Sequence, residues 1–73
     1  MVEGVRETSA RVYEDVAAEL EVAARHCRTT AQHVRDGEIP RAAAHAWAAF
    51  GHVQTATEQL VGQARLHAQK STP

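Results

Sequence analysis

One cysteine, two prolines, four glycines and three aromatic side chains in 73 residues leave several protein classes without their raw material. The lone Cys27 cannot close an internal disulfide, so a stapled secreted mini-domain is excluded and a reducing compartment is expected. Charge of one sign is also missing. Eight Lys plus Arg against nine Asp plus Glu give a formal charge of -1, without the basic excess that neutralises phosphates in a nucleic-acid binder. No long hydrophobic run is present: the most apolar stretch, Ala42 to Phe50, spans nine residues and is interrupted by His45, where a bilayer needs about 20. Near the start, Glu3, Arg6 and Glu7 break up any signal-peptide core. The expectation is a cytoplasmic protein that binds neither nucleic acid nor membrane, and the length leaves room for one domain covering residues 1–73.

What is present is alanine, 15 times, the best helix former. The breakers cluster at one internal place, Arg35-Asp36-Gly37-Glu38-Ile39-Pro40. Gly37 suits the left-handed residue that ends a helix, and Pro40 suits the first turn of the next, where its missing N–H is no loss. Helix 1 is therefore expected over about 5–36, a turn over 37–39 and helix 2 over about 40–69, with fraying at 1–4 and 71–73.

The periodicity adds a register. Tyr13, Val16, Leu20, Ala23, Cys27, Thr30 and Val34 follow the alternating three-and-four spacing of a coiled-coil seam, and Ile39, Ala42, Ala46, Ala49, Val53, Ala56 and Leu60 do the same. Folding at Glu38 predicts antiparallel layers, from Val34 with Ala42 at the turn to Val16 with Leu60 near the open end. Cys27 is expected as a small buried residue of this seam, and His67 as a seam position opposite Ser9.

Two helices that bury one stripe each make a weak domain, so further apolar surface must be covered. Ala10, Ala17, Ala24 and Ala31 recur every seven residues on one flank of helix 1, and Ala43, Phe50, Thr57 and Ala64 occupy the matching flank of helix 2. Trp47, Val61 and Ala68 extend that patch, and from Ala42 to Ala64 the one charged residue is Glu58. A homodimer forming a four-helix bundle is the economical solution, with Ala10, Ala17, Ala24, Ala31, Ala43, Trp47, Phe50, Val61 and Ala64 as its interface. Residues 1–21 hold six acids and two Arg, whereas 22–41 hold four Arg, two His and two acids. Unlike ends attract, which favours antiparallel docking of two hairpins; the alternative is that these are ordinary solvated faces. Val5, Val12 and Leu66 could in addition dock a helix of another protein.

Five histidines are many for this length, and four are spaced by sevens: His26 and His33, His45 and His52. The fold-back sets His33 against His45 and His26 against His52, as two pairs about 10 Å apart given the 1.5 Å rise per residue. Facing neutral imidazoles can grip Zn, Cu or Ni, with a third ligand from a second copy or from a carboxylate such as Glu19. Adjacent imidazoles can also act as a pH switch, because they repel once both are protonated. The plainest alternative makes them polar residues on a solvated flank. Cys-x-x-Cys, His-Glu-x-x-His and Glu-x-x-His motifs are all absent.

Two family resemblances bear on function. Arg28-Thr29-Thr30-Ala31-Gln32-His33 is an Arg-x4-His pattern that resembles the catalytic motif of HEPN-type ribonucleases, also helical and dimeric. The resemblance implies RNA cleavage by Arg28 and His33, although that family has longer domains and places the motif late in them. The hairpin plan also resembles the WXG-type secreted helical hairpins, which are small and dimerise into bundles. Here their Trp-x-Gly at the turn is missing, and Trp47 to Gly51 sit inside helix 2.

The sequence thus leads to an all-α, antiparallel two-helix hairpin that homodimerises into a four-helix bundle. The function expected is that of a small non-enzymatic interaction or accessory protein with no resident cofactor. A histidine-based metal-binding or metal-sensing bundle is the alternative, and a HEPN-like ribonuclease the remote one.

Overall fold

The computed structural model describes residues 4–73. The expected fraying at 1–3 lies outside the described residues; Gly4 is extended and caps the first helix through its backbone carbonyl, which accepts from Thr8 N–H at 3.1 Å. Two helices follow, α1 (Val5–Arg35) and α2 (Ile39–Lys70), packed against each other as a hairpin. Among the described residues there is no strand. Each boundary falls within a residue or so of the expected one.

The turn forms for the reasons its sequence suggests. Gly37 takes φ +75, which a side chain would strain. Glu38 N–H then reaches His33 C=O at 2.8 Å and Gly37 N–H reaches Val34 C=O at 3.0 Å. These two bonds are the Schellman pair that satisfies the last carbonyls of a helix. Pro40 stands in the first turn of α2, where it removes no helical bond.

The seam is rotated from the expected register. Buried or half-buried positions run Val12, Val16, Glu19, Ala23, His26, Thr30 and His33 on α1, against Ala42, His45, Ala49, His52, Ala56, Gln59 and Gln63 on α2. Among the described residues the fully buried core is five small or medium side chains: Val16, Ala23, Ala42, Ala49 and Ala56. Tyr13, Leu20, Val34, Ile39, Val53 and Leu60, expected inside, are exposed. So is Cys27, expected buried.

The physical reason lies in the shared central row. Val16, Ala23, Thr30, Ala42, Ala49 and Ala56 belong to both registers, and residues three and four away flank that row on opposite sides by about 50° each. Either flank could complete the seam. The histidine flank does so because its side chains bond one another across the interface, and because alanine opposite alanine lets the helices approach closely. Thr30 Oγ1 adds a bond across the seam to the Ala42 carbonyl, at 3.3 Å.

Candidate functional site

Between the two helices the histidines form one continuous row. Since α1 and α2 run antiparallel, the spacing of seven interleaves their rings in the order His33, His45, His26, His52. The centroid separations are 5.4 Å for His33 and His45, 5.2 Å for His45 and His26, and 5.6 Å for His26 and His52. The outer contacts are the two pairs expected from the fold-back. Between midpoints the pairs keep the separation of about 10 Å set by seven residues of helical rise, and the inner contact, His26 with His45, bridges them, with the two Nδ1 atoms 2.9 Å from each other.

A carboxylate stands at each end. Glu19 Oε2 lies 2.6 Å from His52 Nδ1. At the turn, His33 Nδ1 is buried and 3.2 Å from Glu38 Oε2, within ion-pair reach although not aligned as a hydrogen bond. Arg41 Nη1 donates to the same Glu38 oxygen at 3.2 Å. The Schellman turn positions Glu38 here, because it holds residue 38 directly against residue 33, the site where a hydrophobic contact more often sits.

Glu38 escaped the sequence reading, which treated it as turn. The signal was available: Gly37 as the left-handed residue makes Glu38 a neighbour of His33. Glu19 was legible as a seventh-residue extension of the His26 and His33 row.

Chemically the row can hold and share protons, since imidazole Nδ1 is a donor or an acceptor according to its tautomer. Among the described residues no group of three or more His, Cys, Asp or Glu is arranged to hold a metal ion. The rings form a stacked row with one imidazole–imidazole hydrogen bond at its centre. They are also half-buried in the seam rather than on a solvated flank. Arg28 is exposed, while His33 is half-buried against His45 of α2. His67 is exposed, outside the seam expected for it.

The expected interface residues fall on the other side of the hairpin. Ala10, Ala17, Ala43, Trp47, Phe50, Val61 and Ala64 are exposed, and Ala24 and Ala31 half-buried. Trp47 is 73% exposed and its ring meets Phe50 at 5.8 Å between centroids. These positions adjoin the exposed flank of Tyr13, Leu20, Val53 and Leu60, so one broad side of the hairpin carries most of its large apolar side chains. No helix among the described residues is long and apolar enough to cross a membrane.

No family model, curated protein or solved structure matches this chain.

Proposed function

We propose that this chain is a small non-enzymatic interaction protein that acts as a homodimer, two hairpins closing their apolar sides into a four-helix bundle. One observation carries the reading: the core of the single hairpin is one valine and four alanines, while Leu20, Val53, Leu60, Trp47 and Phe50 lie outside it. A core so small supports little stability, and an apolar side of this breadth marks an interaction surface. A second copy fits it because the side is self-complementary under two-fold symmetry, with Leu20 and Val53 near the midpoint of the two helices.

The charges favour the same occupant. The open end, residues 1–21 with 54–73, holds seven acids and four bases, a net of -3; residues 22–53 hold four bases and two acids, a net of +2. Docked antiparallel, each hairpin sets its basic turn end against the partner's acidic open end.

The test is the mass in solution. Light scattering of the full chain is expected to give twice 7.9 kDa, and Leu20→Glu is expected to halve it while circular dichroism stays helical. A monomer in the unaltered chain overturns the homodimer and leaves the apolar side to a helix of another protein.

A further inference from the structure

Four imidazoles and two carboxylates stand in one row, and its inner contact differs in kind from its outer ones. His26 Nδ1 and His45 Nδ1, 2.9 Å apart, need one ring to donate and the other to accept. That holds when both rings are neutral with opposite tautomers, and also when the pair carries one extra proton. With two extra protons both Nδ1 atoms bear hydrogen, neither accepts, and two like charges meet at hydrogen-bond distance in a half-buried seam.

The outer contacts obey the opposite rule. A proton on His52 faces Glu19 Oε2 at 2.6 Å, and a proton on His33 faces Glu38 Oε2 at 3.2 Å. At His52 this makes a charge-assisted hydrogen bond; at His33, where the atoms are not aligned for one, it makes an ion pair. Arg41 also reaches Glu38, from the solvent side.

We propose that this row is a proton-operated lock on the hairpin. It is closed while the outer rings carry protons and the inner pair shares one Nδ1–H, and it is released when the inner pair takes its second proton. With His33 and His52 charged, Glu19 and Glu38 balance them and the row is neutral. Further protons bring uncompensated charge into the stack, where His45 already has a charged ring at 5.4 Å and His26 one at 5.6 Å. In the opened chain water separates the rings and the conflict is gone. Falling pH therefore first favours and then disfavours the closed hairpin. The lock lies within one hairpin, so it stands or falls separately from the homodimer.

Thermal unfolding of the full chain at one fixed concentration tests it, from about pH 8 to about pH 5.5, a window above the ordinary carboxylate range in which imidazoles titrate. The Tm is expected to pass through a maximum and then to drop by several degrees on the acid side. In the double variant His26→Gln, His45→Gln that acid-side drop is expected to vanish, while His67→Gln, outside the row, keeps it. No maximum in the unaltered chain, or a drop that persists in the double variant, overturns the lock. Should the double variant not fold, imidazole nitrogen NMR of the unaltered chain at about pH 8 decides instead. One of His26 and His45 must carry hydrogen on Nδ1 and the other a lone pair there; Nε2–H tautomers at both overturn the proposal.

Discussion

Glu19 Oε2 and His52 Nδ1 meet at 2.6 Å across the seam, tying the first half of α1 to the middle of α2. The contact closes the histidine row on the side of the open end. Beyond it the seam continues through Val16 and Ala56, both buried, and then through Val12 and Ser9 against Gln59 and Gln63, which are half-buried. The pair thus stands where the row of imidazoles ends.

A double-mutant cycle on Glu19→Gln and His52→Gln should therefore return a coupling of about 1 kcal/mol near neutral pH. Both side chains keep about a third of their surface in water, so added salt should reduce the coupling. Denaturant unfolding of the four proteins at low and high salt measures both effects. Additive single changes would show that the contact contributes nothing.

At the turn, Gly37→Ala should cost about 1–2 kcal/mol, the left-handed penalty of a residue with a Cβ. The added carbon meets nothing within 4 Å, so the loss is backbone strain alone. Gly37→Asn, which tolerates that conformation better, should lose less. Urea midpoints of the three chains give the order, and an alanine variant as stable as the parent would refute the assignment of the strain.

Much of the hairpin was legible in the sequence, and what was not has a definite physical source. Gly37 and Pro40 mark the turn by their backbone chemistry, and the alternating spacing marks two helices with a common central row. Choosing the flank of that row was the step that hydropathy decided wrongly. Leu20 and Tyr13 outrank His26 and Glu19 on any apolar scale, yet His26 and His45 bond each other across the seam and His52 bonds Glu19, which removes the usual penalty of burial for these groups. The pairing of His33 with His45 and of His26 with His52 was readable because it depends on the fold-back alone. The bond between the two inner rings was not, because it depends on ring orientation.

The narrow seam gives a paired prediction. Ala49 is buried between the helices, whereas Ala46 is exposed on the apolar flank. Ala49→Leu should destabilise the chain by about 1–3 kcal/mol through overpacking. Ala46→Leu adds the same atoms where the hairpin itself has room. If the seam instead followed the Tyr13 and Leu20 flank, both variants would be damaging. Thermal unfolding of the two proteins separates these registers.

The protein carries its own reporter of the apolar side, since Trp47 is its single tryptophan. In one hairpin Trp47 is 73% exposed, its ring against Phe50. A partner confined to the Leu20 and Val53 flank would leave it in water, whereas a bundle that also covers Phe50 and Val61 would bury it. The homodimer interface read from the sequence includes Trp47, so emission should be blue-shifted and shielded from iodide in concentrated protein. On dilution, or in Leu20→Glu, it should shift red and become quenchable. The change must track the mass from light scattering, because both report one equilibrium. A dimer by mass whose Trp47 stays fully quenchable would move the interface onto the Leu20 flank and exclude Trp47 from it.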